Sequence, residues 1–200
     1  MINTIIFDFG DVFINLDKQA TVNGLKELGL SEWNEDLDKL NVQFEKGQIS
    51  REDFLFGIQK QIPNASIDEI LAAWNAILLD FPLYRLEFVQ KLSKNYRLFL
   101  LSNTDSIHID TFEQETGVSF YSDFYQCFEK VYFSYEMGMR KPDAEIFNYL
   151  IKKYDLSEKR TLFVDDKKEN TDAAHSLGLH VWNLKVGKED VVDLFNKKIL

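Results

Sequence analysis

The first apolar segment of the chain places a charged side chain at the end of a buried strand. Residues 2–7 are mostly β-branched or aromatic, the run is too short for a helix, and Gly10 follows soon after. This pattern predicts a buried strand, and Asp8 comes directly after it. Because a buried carboxylate is costly unless a partner compensates its charge, Asp8 is either a site residue or an unusual strand cap.

Strand-like segments alternate with helical segments after Pro82. Apolar runs at 96–101, 131–133, 161–164 and 180–184 predict four further strands, and amphipathic helices separate them. Strands separated by helices form a parallel sheet that is covered on both faces. We therefore expect an α/β fold with a Rossmann-like, doubly wound parallel sheet.

The segment between the first strand and Pro82 has helical spacing throughout. Ser50 and Ser66 are the predicted N-caps of two of its helices. A helical block inserted after the first strand of such a sheet indicates a cap over the ligand-binding edge. We predict a core made of residues 1–14 and 83–200 and a helical cap made of residues 15–82.

Polar residues follow three of the predicted strands. Asp8 ends the first strand, Ser102 and Asn103 end the second, and Asp165 and Asp166 end the fourth. The carboxyl ends of parallel strands share one edge of the sheet, and ligands bind at that edge in open α/β proteins. We therefore expect these side chains to converge on one site.

The residue types at this edge fit phosphoryl transfer. The three aspartates offer hard oxygen ligands, which suit Mg²⁺ and leave room for a substrate phosphate. A carboxylate can act as the nucleophile and form an aspartyl-phosphate, and the remaining work is placement and charge stabilisation. Lys141, just before Pro142 at a predicted helix start, and Ser102 would hold the phosphoryl oxygens.

Taken singly, these residues also have purely structural interpretations. Ser102 suits the cap of the next helix, and Lys141 suits a solvated charge before a first-turn proline. Asp165 and Asp166 suit an N-cap pair, and a helix N-terminus that they cap also receives phosphate.

Four motifs in this order resemble those of the haloacid dehalogenase-like (HAD) hydrolase superfamily, in the form that carries a C1 helical cap. They are Phe-Asp-Phe-Gly-Asp-Val (7–12), Leu-Ser-Asn-Thr (101–104), Gly-Met-Arg-Lys-Pro-Asp (138–143) and Phe-Val-Asp-Asp (163–166). The resemblance covers essentially the whole chain. The branch that the chain most resembles is the bacterial phosphatases of the sugar-1-phosphate (glucose-1-phosphate) type.

The resemblance implies a role for each motif residue. Asp8 would be the nucleophile and a magnesium ligand, and the two aspartates of the fourth motif would complete the metal site. Ser102, Asn103 and Lys141 would hold the phosphate. The implied cofactor is Mg²⁺, and the implied partner is a small phosphorylated substrate.

One position departs from the family pattern. Most HAD phosphatases carry a second aspartate two residues after the nucleophile as general acid and base, and this chain has Gly10 there. The Gly10 carbonyl can still reach a metal, and Asp11 is the nearest acid that could replace the missing group. General-acid help is worth on the order of 10²–10⁴ in rate, so we expect sugar-1-phosphates and acyl phosphates, whose leaving groups are stable anions, to react best.

Charge and cysteine content narrow the partners and the compartment. The 200 residues carry a net charge of −10 and form no basic stripe, which argues against nucleic acid and anionic membranes as partners. Cys127, the single cysteine, has no internal partner for a disulfide, which favours a cytoplasmic location. We see no signal peptide and no membrane-spanning stretch.

The sequence therefore favours a Mg²⁺-dependent phosphatase of small phosphorylated metabolites, and it leaves two alternatives open. A 2-haloacid dehalogenase on the same fold needs no metal, so the Asp165–Asp166 pair argues against it. A non-catalytic phosphate-binding protein is supported by Gly10.

Overall fold

A five-stranded parallel sheet forms the centre of the computed structural model, which describes residues 1–197 and 199. Its strands are β1 (Thr4–Phe7), β2 (Arg97–Ser102), β3 (Lys130–Phe133), β4 (Thr161–Asp165) and β5 (His180–Asn183). They lie in the order β3-β2-β1-β4-β5, and every neighbouring pair is parallel. This architecture confirms the predicted fold class.

The register of the sheet fixes the position of Asp8. Phe7 of β1 lies opposite Leu100 of β2 and Val164 of β4. The backbone N–H of Asp8 continues the ladder by donating to the Val164 carbonyl at 2.9 Å. Asp8 therefore lies at the carboxyl edge of the sheet, beside Asp165, the last residue of β4.

Within the described residues, ten α-helices lie around the sheet or over its carboxyl edge. They are α1 (Lys18–Glu27), α2 (Glu35–Glu45), α3 (Arg51–Gln59), α4 (Ile67–Asn75), α5 (Leu83–Leu92), α6 (Ser106–Thr116), α7 (Val118–Tyr125), α8 (Ser134–Met137), α9 (Ala144–Tyr154) and α10 (Lys168–Ser176). A 3₁₀ helix over Val191–Asn196 follows the last strand. Among the described residues, no helix is both long enough and apolar enough to cross a membrane.

Side chains of β1 alternate between two hydrophobic cores. Ile5 and Phe7 pack into one cluster, which includes the aromatic side chains of α7, and Ile6 packs into another with Phe147 of α9. The side chains of Ile5, Ile6, Phe7 and Phe147 are fully buried. Burying a side chain of this size contributes about 1.5–3 kcal/mol to the stability of the fold. Apolar packing therefore stabilises the helices on both faces of the sheet.

The helices α1–α4 have a hydrophobic core of their own. Leu25, Phe54, Ile58 and Trp74 are buried in this cluster. The Ser50 hydroxyl caps α3, and Ser66 forms a capping box with Glu69 at the start of α4, as the spacing predicts. These caps satisfy the otherwise free backbone N–H groups of the first turn.

Two adjacent segments of the chain, the connecting segments, join this helical block to the rest of the molecule. The backbone N–H of Asn15 donates to the Asp80 carbonyl at 2.9 Å, and the N–H of Leu79 donates back to the Asn15 carbonyl at 3.0 Å. The two points at which the chain passes between the helical block and the rest of the molecule therefore lie side by side, near the two predicted boundaries. We propose the division into a core of residues 1–14 and 83–200 and a cap of residues 15–82 on this pairing and on the separate hydrophobic core.

Candidate active site

Three aspartates meet at the carboxyl edge of the sheet. Asp8 follows β1, Asp165 ends β4, and Asp166 comes next in the chain. Each offers one carboxylate oxygen, and these oxygens all lie within 4.8 Å of one another. Asp8 is only 7% exposed and Asp165 is fully buried, so their charges need compensation.

Lys141 supplies part of that compensation. Its ammonium nitrogen lies 2.8 Å from Asp8 Oδ1 and 2.7 Å from Asp165 Oδ2, and its side chain is 0% exposed. Burial by itself lowers the pKa of Lys141, but the two carboxylates outweigh burial and the net shift of the pKa is upward. Lys141 is therefore a fixed positive charge inside the site.

Lys141 alone does not compensate for the burial of the Asp8 carboxylate. Burial raises the pKa of Asp8 to about 7, and the nearby Asp165 carboxylate adds to the rise, although Lys141 opposes it. A further positive charge beside Asp8 would favour its ionised form. The site thus has the chemistry of a cation-binding site.

Lys18 is a second cation in the site, and the sequence reasoning missed it. Its ammonium nitrogen lies 2.7 Å from Asp11 Oδ2 and 2.8 Å from Asp166 Oδ2. No motif marks this residue, which stands at the start of α1 and reaches across 148 positions of sequence to Asp166. With both lysines counted, four carboxylates face two ammonium groups, which leaves the charge that one divalent cation would balance.

Asp165 is held in place by its own loop and by α10. The backbone N–H of Lys167 donates to Asp165 Oδ1 at 2.8 Å, and the Asn170 amide donates to both carboxylate oxygens at 3.1 and 3.0 Å. Asp165 and Asp166 do not cap α10 as a pair, because Lys167 occupies the N-cap position. These contacts orient the Asp165 carboxylate towards Lys141.

Ser102 and Asn103 lie on the second wall of the site, at the end of β2. Ser102 is buried and lines the same cavity as Asp8. The Asn103 amide donates to the Lys141 carbonyl at 2.7 Å and accepts from the Lys141 N–H at 2.9 Å, so its side chain positions the lysine. The alternative in which Ser102 caps the next helix does not hold, because Asp105 caps α6.

The loop after Asp8 explains the environment of Gly10 and Asp11. Gly10 lines the cavity, and a Cβ at this position would lie 2.8 Å from Cδ1 of Leu16. Leu16 therefore fills the space beside the position where most HAD phosphatases carry their acid. Asp11 adopts a left-handed backbone conformation with φ of 57°. Its carboxylate pairs with Lys18 and accepts the Leu16 N–H at 3.2 Å, so its predicted role in proton transfer stays a prediction.

A cavity of about 250 Å³ separates these groups from the helical block. Its core side carries Asp8, Gly10, Ser102 and Asp166. Its opposite side is formed by residues of the helical block and of the two connecting segments, namely Leu16, Lys18, Asn41, Glu45, Trp74, Ile77 and Leu78. The site is thus enclosed between the sheet edge and the helices.

His108 connects the two sides of this cavity. One ring nitrogen lies 2.9 Å from the Asp105 carboxylate, and the other lies 3.1 Å from the Trp74 carbonyl oxygen. The two rings of His108 and Trp74 also stack, with centroids 5.1 Å apart. Burial lowers the pKa of His108, but the Asp105 carboxylate outweighs it and the net shift is upward. Both ring nitrogens face acceptors, so the protonated ring would donate to each and tie α4 to α6.

Comparison with known proteins agrees with this architecture. The profile of the haloacid dehalogenase-like hydrolase family matches residues 5–184. The chain is 29% identical to a D-ribitol-5-phosphate phosphatase of Bacteroides thetaiotaomicron, over 94% of this chain and 95% of that protein. It is 28% identical to a sesquiterpene phosphatase of Aspergillus oryzae, over 87% of this chain and 85% of that protein.

Solved structures give the same result. A HAD family enzyme from Bacteroides thetaiotaomicron, an aspartate-to-alanine variant in complex with magnesium and inorganic phosphate, superposes with a TM-score of 0.88 and 35% identity, covering 98% of this chain and 100% of that chain. This chain therefore belongs to the haloacid dehalogenase-like hydrolase family.

Proposed function

We propose that this protein is a Mg²⁺-dependent phosphatase that hydrolyses the phosphate monoester of a small sugar or polyol through an aspartyl-phosphate on Asp8. The observation that carries the proposal is the cluster of Asp8, Asp165 and Asp166, with one oxygen of each within 4.8 Å of the others, in a small covered cavity. The relatives support the reaction class, since two of them are named as phosphatases.

The three aspartates fit Mg²⁺ as a cofactor. Magnesium prefers hard oxygen ligands and keeps open positions for water and substrate phosphate. Asp8, Asp165, Asp166 and the Gly10 carbonyl are the groups that would hold it. When bound, the cation would neutralise the carboxylates and the phosphoryl charge.

The chain's own residues then divide the reaction between them. A carboxylate oxygen of Asp8 forms a bond to phosphorus while the bond from phosphorus to the leaving oxygen breaks, and water later attacks phosphorus to release phosphate and free Asp8. Lys141 orients Asp8 through Oδ1, and Ser102 binds a phosphoryl oxygen. The leaving oxygen takes up a proton, and Asp11 stays our candidate for its donor.

Two sources of support differ on the substrate. Gly10 favours leaving groups that are stable anions, such as those of glucose 1-phosphate and acetyl phosphate, whereas a relative acts on D-ribitol 5-phosphate by name, which is an ordinary alkyl phosphate. A phosphatase panel with these three compounds and glucose 6-phosphate decides between them. Equal or better rates on the alkyl phosphates would overturn the preference that we infer from Gly10.

The same panel tests the proposed function. Phosphate release should require Mg²⁺, should stop when the metal is chelated, and should be abolished in Asp8→Asn. The matched control is Asp172→Asn, since Asp172 lies at the surface in an exposed pair with Lys168, and this variant should keep full activity. Turnover that survives in Asp8→Asn, or that is unaffected by chelation, would contradict the proposal.

A further inference from the structure

Besides Lys18, two polar side chains of the helical block line the cavity. Asn41 and Glu45 both line the cavity that contains Asp8. They are four residues apart on α2, so they occupy the same face of that helix. Lys18 of the block also lines the cavity, but its ammonium group is paired with Asp11 and Asp166. The other cavity residues contributed by the block and its connecting segments, Leu16, Trp74, Ile77 and Leu78, present mainly apolar atoms.

Glu45 has one carboxylate oxygen paired with Arg140 and a second that a ligand can meet. Its side chain is only 15% exposed, and Nη2 of Arg140 lies 2.8 Å from Oε2. Oε2 is therefore a buried atom held against the guanidinium, although the two groups are not aligned as a hydrogen bond. Glu45 lines the cavity, so a hydroxyl donor on a ligand would meet its other carboxylate oxygen, Oε1, rather than the buried Oε2.

The charge of Glu45 indicates which part of a ligand it meets. A carboxylate repels a phosphoryl group, so Glu45 does not bind the phosphate, which belongs beside Lys141 and Ser102. A carboxylate accepts hydrogen bonds from hydroxyl groups, and the Asn41 amide both donates and accepts. The apolar wall suits the carbon skeleton between them.

We propose that Glu45, assisted by Asn41, is the specificity-determining residue that binds hydroxyl groups of the substrate's leaving group. This inference rests on the proposed phosphatase function and deepens it. The substrate class is then a short polyhydroxylated phosphate monoester rather than an apolar prenyl phosphate, because a prenyl chain carries no donor for Glu45. The volume of the cavity, about 250 Å³, lies below the range of about 300–1,000 Å³ for cavities that bind drug-sized ligands. Its size therefore also fits a short substrate.

The test compares two substrates in each of four proteins. D-ribitol 5-phosphate carries hydroxyl groups on its leaving group, and p-nitrophenyl phosphate carries none. In Glu45→Gln, kcat/KM for D-ribitol 5-phosphate should fall about fivefold to tenfold, because the amide oxygen still accepts a hydrogen bond but without the added strength of a charged acceptor. The value for p-nitrophenyl phosphate should stay within about twofold, because the phosphoryl site is untouched.

Two further variants separate recognition from cap docking. Asn41→Ala should lower the same substrate ratio in the same direction. Asp143→Asn removes the ion pair with Lys46, at 3.1 Å, from the turn next to Glu45, and it should leave the substrate ratio unchanged.

The outcomes distinguish this inference from the function on which it rests. A wild-type enzyme without Asp8-dependent turnover of either substrate would overturn both. If the wild-type enzyme is active, three results would overturn this inference but leave the proposed phosphatase function standing. The first is that the enzyme does not hydrolyse D-ribitol 5-phosphate. The others are that Glu45→Gln slows both substrates equally or slows neither.

Discussion

Replacing Lys141 by methionine would leave the carboxylates of Asp8 and Asp165 buried without their shared cation. The lysine is 0% exposed and lies 2.8 and 2.7 Å from these two groups, and methionine keeps most of its length and apolar contacts. Breaking a buried ion pair by removing one partner costs about 3–5 kcal/mol. For a domain of this size, the loss corresponds to a fall in Tm of about 6–20 °C.

Thermal unfolding with and without Mg²⁺ measures this effect. The Tm difference between Lys141→Met and the wild type should narrow in Mg²⁺, since a divalent cation among the carboxylates replaces part of the missing positive charge. Lys168→Met is the matched control, because Lys168 forms an exposed pair with Asp172 and exposed pairs contribute about 0–1 kcal/mol. If Lys141→Met is destabilised no more than Lys168→Met, then Lys141 is not the buried counter-charge that the contacts indicate.

Two further predictions concern the docking of the helical block. The pKa of His108 lies above its ordinary value of 6.5 because the Asp105 carboxylate outweighs burial; its contribution to stability is therefore full below pH 6.5 and is lost as the pH rises through the raised pKa. The fall in Tm caused by His108→Gln should accordingly be larger at about pH 6 than at about pH 9, and an equal fall at both would refute the imidazolium tether. Gly47→Ala would place a Cβ 2.1 Å from the Tyr135 carbonyl oxygen at a φ of +62°, so unfolding experiments should show a loss of more than about 1 kcal/mol, and unchanged stability would contradict this close approach.

Short-range patterns were sufficient to predict the sheet and the residues at its edge. Asp8, Ser102 and Asp165 each follow or end an apolar run, and a parallel sheet brings such positions to one edge regardless of their separation in sequence. The N-caps Ser50 and Ser66 were predictable for a similar reason, since capping depends on residues only a few positions apart.

Contacts that depend on how the helical block docks were not predictable. Lys18 meets Asp166 and Glu45 meets Arg140 only because α1 and α2 are placed over the sheet edge, and a helical pattern identifies a buried face without identifying what covers it. Leu16 beside Gly10 belongs to the same class.

The central claim is that Asp8 carries the phosphoryl group during turnover. Acid quenching of the enzyme during turnover with Mg²⁺ and acetyl phosphate, followed by peptide mass spectrometry, measures this directly. The account predicts a phosphorylated peptide containing Asp8, formed and lost at rates compatible with turnover and absent in Asp8→Asn. Turnover without phosphorylation of this peptide, or a phosphoryl group trapped on another residue, would contradict it.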